Sequence, residues 1–475
     1  MGHTHMNFLK RFFSSLLLLS FIGAGCTQAP DAATVAASKP KTLVIWGVVD
    51  DLTPYDEIFN SYRKIAPNIS IEYRRFRLED YESALLNALA EDRGPDIFMM
   101  HNTWVGKYMP KILPMPLSVK IATKTVQGTL KKETVWQLNP EKLVSLRQFK
   151  EEYLDAVSKD MIRNTNISTD PDKKDFQDRI MGMPLSVDTL ALYVNKDLLN
   201  AAGIANIPQT WDIFQEAVKR LVKLDDTSAL IQAGVAMGTG ANVNRSADIL
   251  QAIMMQNGAE MSKANGSPTF AVLPEKLSGE RDIPPGNQAV SFYTDFANPA
   301  KDNYSWNKKM PNSLEAFTSG KVAFMLGYSY DLPTIKARAP KLNLAISKFP
   351  QIAGNPEANI ANYWAWTVSK KTKSSDIAWH FVNYMHQPEQ AKLYLKVVKR
   401  PAALRALLPA QLDDEDIGVF AAQVLNAQSW YRGNDAKATE DAFIKLIDTS
   451  IGVEPEVISK NIHDAQNIVS QTYAF

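Results

Sequence analysis

Cysteine is almost missing from this chain: Cys26 is the only one in 475 residues. An intramolecular disulfide is therefore excluded, as is a zinc site built from several thiolates. No charge of one sign dominates. With 52 Lys and Arg against 51 Asp and Glu the formal net charge is +1, too weak a field to hold a nucleic acid. Long apolar runs are lacking too. The one extended stretch, Phe12 to Ile22, is interrupted by Ser14, Ser15 and Ser20 and is too short for a hydrocarbon core of about 30 Å. Among six histidines no H-E-x-x-H pair occurs, and His380 and His386 fall near opposite faces of one helix, so they read as core or solvated side chains. Neither Gly106-Lys107 nor Gly320-Lys321 completes a phosphate loop, and Gly327-Tyr328-Ser329-Tyr330 lacks the second glycine of a nucleophile elbow. The carboxylate pair Asp50 and Asp51 and the run Asp413 to Asp416 do not by themselves make a hydrolytic site. The expectation is a protein that is not an enzyme and carries neither cofactor nor metal.

A composition of 45% hydrophobic and 22% charged residues is that of a globular chain with a substantial core. Its beginning is different. Lys10 and Arg11, the apolar stretch, then Gly23, Ala24 and Gly25 have the layout of a secretory signal, read here as residues 1–25. Cys26 follows at once and resembles the lipid-modified cysteine of bacterial lipoproteins, although Gly23 stands where leucine is usual. Thr27 to Pro40 (TQAPDAATVAASKP) is small, polar and proline-bearing, so 26–41 reads as a lipid-anchored tether with a reach of roughly 20 Å. The membrane is then touched through lipid alone, and the body lies outside the cytoplasm.

From Thr42 the pattern is strand, helix, strand, helix, strand: Thr42 to Trp46, a helix whose Thr53, Pro54 and Asp56 suggest a capping box, Ile69 to Tyr73, Tyr81 to Ala90, and Asp96 to Met100. Such alternation predicts a largely parallel sheet. The same grammar returns with Leu190 to Asn195, a helix over Thr210 to Leu224, Val322 to Leu326, Ala365 to Ser369 and a helix over Ser375 to His386. Met261 to Asn287 is rich in Gly, Pro and Ser and reads as a surface excursion.

Gly182 to Leu199 (GMPLSVDTLALYVNKDLL), followed by Pro208-Gln209-Thr210-Trp211, resembles the signature region of extracellular solute-binding proteins that feed ABC importers, in the maltose and multiple-sugar-binding group. Thr42 to Trp46, Gly94 to Ile97, Leu314 to Leu326 (LEAFTSGKVAFML) and Ala378 to Met385 extend the similarity in the group's order. The resemblance implies an α/β, two-lobed periplasmic-binding-protein-like fold, each lobe a mostly parallel sheet flanked by helices, with ligand in a cleft at a hinge. It implies lobe 1 at 42–184 and 363–404, and lobe 2 at 185–362 and 405–475. Leu113 to Ile180 is longer and more lysine-rich than the group's usual linker.

The expected function is capture of a sugar or oligosaccharide and delivery to an ABC permease by a monomeric receptor. A surface lectin without transport, or a lipid-anchored glycan hydrolase, are the alternatives. Sugars offer apolar C–H faces and a rim of hydroxyls, so aromatic surfaces and planar polar groups are sought at strand ends. Trp46, Asp50 and Asp51 close the first strand, although an aspartate before a helix is also a routine cap. Asn102 and Trp104 follow the third strand. Asp188 occupies the group's acidic position beside the hinge. Asn242, with Asn244, lies in the loop Gly238 to Arg245; Tyr328 and Tyr330 follow a strand; Trp364 and Trp366 share one side by alternation. Trp430, Tyr431 and Arg432 combine two aromatics with a forked donor. Trp211 and Trp379 sit at helical core spacing and read as packing.

Overall fold

The computed structural model describes residues 31–127, 132–168, 170 and 172–473. The expected export signal and the lipidation of Cys26 lie outside the described residues.

The β-branched run at the start of the body becomes the strand Lys41–Val48, the centre of a four-stranded sheet. It pairs in parallel with Ile69–Phe76 and Ile97–His101, joined by crossover helices at Asp56–Ile65 and Leu78–Ala90. No capping box opens the first of these helices. A 3-10 turn with Pro54 leads in, and the Asp51 carboxylate accepts from the Thr53 backbone N–H at 2.9 Å. A fourth strand, Trp364–Val368, returns antiparallel beside Ile97–His101.

The second sheet runs in the order Leu344–Lys348, Ala191–Asn195, Val322–Gly327, Leu230–Val235, Lys223–Leu224. Only Leu230–Val235 and Val322–Gly327 pair in parallel; the other three pairings are antiparallel. The expectation of mostly parallel strands therefore describes the first sheet, and the second is mixed. Its fully buried strands read as continuous apolar runs in either direction, so their sequences do not disclose the pairing.

Each sheet has its own core. The first gathers residues from Leu43 to Val187 with Ala361 to Leu408 and also Ala421, Val424 and Ala427; the second gathers Leu190 to Ile360 with Phe420 and Trp430 to Val469. The first core thus extends past residue 404, because the segment 405–427 lies against both bodies. Between the cores, chain segments run side by side. Asp188 and Asn362 exchange backbone bonds at 2.8 and 3.0 Å, Val187 N donates to Pro401 O at 3.0 Å, and Ala361 N donates to Gln428 O at 2.8 Å.

Two segments depart from expectation. Within 26–41, Ala32–Ser38 is a helix capped by Asp31, whose carboxylate accepts from Thr34 N at 2.6 Å. Asn68 ties the helix down through Ala37 O at 3.0 Å, so the composition that suggests a tether is, from Asp31 on, part of the body. Alanine's high helix propensity and a proper N-cap outweigh the missing apolar period. Leu113 to Ile180 forms two hairpins, Ser118–Gln127 with Glu133–Lys142 and Ile162–Asn166 with Phe176–Ile180, and two short helices whose Phe149 and Val157, with Val119 and Ile121 of the first hairpin, complete the first core. Trp211 and Trp379 are buried, with their indole N–H groups donating to Gln256 and to Leu113 O.

Candidate functional site

A cavity of about 350 Å³ lies where the two bodies meet. Strand register builds its first wall. Trp364 stands opposite His101 and Trp366 opposite Met99, so four alternating side chains share one face of the first sheet, and all four line the cavity. Trp366 is packed edge-on against Tyr55 at 5.6 Å, while Trp364 is half-buried and meets His101 at 5.0 Å. Burial, and secondarily the positive charge of Arg245, pushes the His101 pKa down to about 4. The ring is therefore neutral at pH 7. Its Nδ1 accepts from Thr103 N at 3.4 Å, which assigns the proton to Nε2, 3.3 Å from Asn362 Oδ1.

The loop after the first strand adds Asp50. Val49 is held at φ 72, a left-handed conformation unusual for a β-branched residue, and Asp50 N turns back to Val48 O at 2.9 Å. The Asp50 carboxylate thereby reaches Arg400, which it binds through both oxygens at 2.8 Å, and accepts from Tyr394 at 2.8 Å. Lys399, at φ 51, makes the left-handed turn that directs Arg400 there.

The second body supplies Arg245 and Tyr330. Arg245 caps the helix Ser246–Gln256 from a left-handed conformation, φ 58, and donates to Asp248 through Nε at 2.9 Å and Nη2 at 2.6 Å, with Glu440 at 3.5 Å. Tyr330, 39% exposed, stacks at 5.4 Å on buried Tyr328, whose hydroxyl donates to Asp248 at 2.7 Å. At the hinge, Asp188 is 5% exposed; one oxygen accepts from Thr189 N at 2.9 Å and the other from Ser329 N at 3.0 Å and Ser329 Oγ at 2.6 Å. Burial pushes its pKa up to about 6 although these hydrogen bonds oppose the shift. Chemically, the site offers aromatic surface from both bodies and polar groups already partnered within the protein.

Of the residues singled out from sequence, Asp50, Asp188, Tyr330, Trp364 and Trp366 line this cavity, and the remainder sit elsewhere. Trp46 packs on Phe76 at 4.5 Å. Asp51 is an exposed turn cap, and Asn102 is buried with its amide donating to Ala361 O at 3.1 Å. Trp104 stands behind Trp364, at 5.1 Å edge-on, and stacks on Tyr108 at 5.5 Å. Asn242 pins its own loop to Asn307 O and Met310 O, and Asn244 accepts from Asn312. Tyr328 lies beneath Tyr330. Trp430 and Tyr431 pack in the second core, bonded to Gln251 and Thr472, while Arg432 pairs with Asp160 at 3.0 Å. Sequence reasoning missed His101, Arg245, Asn362, Tyr394 and Arg400. For Arg245 a signal exists, since its loop also carries the candidates Asn242 and Asn244.

Comparison with known proteins bears on the fold. A probable amino-acid ABC transporter periplasmic-binding protein from Sinorhizobium fredii is 24% identical over 420 residues, covering 85% of this chain and 83% of that one. A multiple sugar-binding protein from Streptococcus mutans is 25% identical over 231 residues, covering 48% and 52%. Among solved structures, a cyclo/maltodextrin-binding protein complexed with maltotetraose superposes with a TM-score of 0.65 at 17% identity, covering 91% of this chain and 97% of its own. The sugar-binding protein of the phytopathogen Xanthomonas citri gives 0.65 at 16%, covering 91% and 98%. Both share the two-lobed fold. Residues 46–392 match the family of bacterial extracellular solute-binding proteins, and with its two α/β bodies and the cavity between them the chain belongs to that family.

Proposed function

We propose that this protein captures a neutral carbohydrate in the cavity between its two bodies and hands it to an ABC permease, without chemical change to the solute. The observation that carries the proposal is the state of the charges around the cavity. Arg400 is neutralised by Asp50, Arg245 by Asp248 and Glu440, His101 is uncharged, and the remaining wall carboxylate, Asp188, already spends both oxygens on Thr189 and Ser329. A zwitterion, the alternative raised by the amino-acid transporter relative, needs an unpaired cation and an unpaired carboxylate to offset its own desolvation. A sugar needs apolar faces, offered by Trp364 and Tyr330, and hydrogen-bonding groups at the rim.

The two bodies contribute to the cavity from opposite sides, so solute favours the closed arrangement through contacts that exist only when both are present. Cys26, if it carries lipid, holds the body near its transporter, and the monomer is sufficient for the task.

A thermal-shift screen of mono- and oligosaccharides beside the amino acids, followed by titration calorimetry, tests the reading. A bound sugar at a hundred times its Kd adds about 2.7 kcal/mol of stability. Tighter binding of an amino acid than of any sugar, or turnover of a bound glycan, overturns it.

A further inference from the structure

A second concavity, of about 1220 Å³, runs along the same seam and shares no lining residue with the first. Its charge is one-sided. Lys159, Arg163, Lys263, Lys276, Arg281 and Arg432 line it, against Glu260 and Glu357 among the described lining residues. With Asp160, which pairs with Arg432, set against them as well, three positive charges remain in one groove of a chain whose net charge is only +1.

The surplus is sharpest where the bodies meet. Arg163 comes from a hairpin of the first body and Arg432 from the segment after Ala427–Gln428, and their charges act on each other. One carboxylate, Asp160, pairs with Arg432 and acts on the charge of Arg163. It is 1% exposed and already accepts from Tyr363 at 2.8 Å, from Arg432 Nη2 at 3.0 Å and from Ser429. Arg163 spends Nη1 on Lys159 O at 2.8 Å, while its Nη2 and the Nε of Arg432 are buried with no acceptor among the described residues. Burial and the Arg432 charge lower the Arg163 pKa, as expected for a cation short of a counter-charge. Two guanidinium groups sharing one carboxylate leave a positive charge unbalanced, and buried donors without acceptors are costly.

We propose that this groove binds a small oxyanion, of the phosphate, sulfate or carboxylate class, between Arg163 of the first body and Arg432 of the second, with Lys159 at its rim. Guanidinium groups present paired N–H donors that match the oxygens of such an anion. Bound there, it joins the two bodies at a point separate from the 350 Å³ cavity and resists their separation. The proposal does not depend on which solute that cavity takes. The same chemistry is carried by free phosphate and by the headgroup of an anionic phospholipid.

Full-length protein titrated with inorganic phosphate, against sodium chloride of equal ionic strength, reads the free-anion case by calorimetry and thermal shift. Sedimentation with phosphatidylglycerol or phosphatidylcholine vesicles reads the headgroup case, as the difference between wild type and Arg163→Gln. Saturable phosphate binding, weakened about tenfold in Arg163→Gln and less in Lys159→Gln, supports a soluble ligand. Retention on phosphatidylglycerol that Arg163→Gln loses supports the headgroup. Absence of both, or unchanged phosphate binding in both variants, overturns the proposal; Lys159→Gln keeps the test open should Arg163→Gln fold poorly.

Discussion

Asp50 and Arg400, 350 residues apart, meet in a two-point ion pair with both N–O distances at 2.8 Å. The aspartate, 8% exposed, leaves the first strand through the strained turn at Val49, and the arginine, 18% exposed, leaves the helix Pro388–Val398 through the left-handed Lys399. Both lie in the first body, so the pair shapes one wall of the cavity and does not clamp the bodies together. Removing one partner leaves a buried charge without compensation. Asp50→Ala is expected to lower unfolding free energy by about 3–5 kcal/mol, with Asp50→Asn costing less because one acceptor oxygen remains. Urea denaturation of both variants measures this, and a loss below about 1 kcal/mol in Asp50→Ala sinks the structural role.

The aromatic side chains separate by position. Tyr330 is substantially exposed on the cavity wall, so Tyr330→Ala is expected to weaken sugar binding by more than about 1 kcal/mol with little effect on stability. Trp104 does not line the cavity and supports Trp364 from behind, so Trp104→Ala should cost stability as well as affinity. Calorimetry and melting curves on the two variants decide the assignment: equal stability losses contradict it.

Asp188 at the hinge and Asp331, whose carboxylate accepts from Tyr328 N at 3.1 Å, give stability a pH dependence of defined sign. Burial raises their folded-state pKa values to about 6 and about 7, from the ordinary aspartate value of 3.8, and the Asp188 charge adds to the second shift. Between those limits the folded chain holds protons that the unfolded chain has released, so stability falls as pH rises through about 4 to 7. His101, pushed down to about 4, acts oppositely: the unfolded chain binds its proton first, and stability rises with pH from about 4 to 6.5. Melting temperatures of Asp188→Asn minus wild type should therefore increase with pH across this window. A flat difference contradicts the burial of that carboxylate.

Much of the first body is legible in the sequence because its elements obey simple periods. Thr42 to Trp46 is a β-branched run, and the alternation in NYWAWTVS puts Trp364 and Trp366 on one face, where the register aligns them with His101 and Met99. The mixed second sheet is not legible, since strand direction leaves no mark on a fully buried run. Arg245 and Arg400 escape notice for another reason. Their placement depends on left-handed turns at Arg245 and Lys399, residues that give no glycine signal, and on ion partners at Asp248 and Asp50. Composition also overreaches: the Trp430-Tyr431-Arg432 cluster looks suited to sugar, yet the two aromatics pack into the second core.

Gly106 makes the contact between the bodies sensitive to a single methyl group. It lies in the short helix Val105–Tyr108 of the first body, and a Cβ placed there would stand 2.4 Å from Arg432 O and 2.6 Å from Gly433 O of the second. Both obstacles are backbone carbonyls, so no side-chain rotation relieves the overlap, and Gly106 adopts no positive φ that alanine would resist. The substitution Gly106→Ala therefore strains the approach of the bodies more than the fold of either. Its expected consequence is a population shift toward separated bodies: a larger radius of gyration in solution scattering without ligand, and a weaker apparent affinity in proportion to the lost closed fraction. Scattering and affinity both matching wild type would show that the 106 to 433 approach does not govern closure.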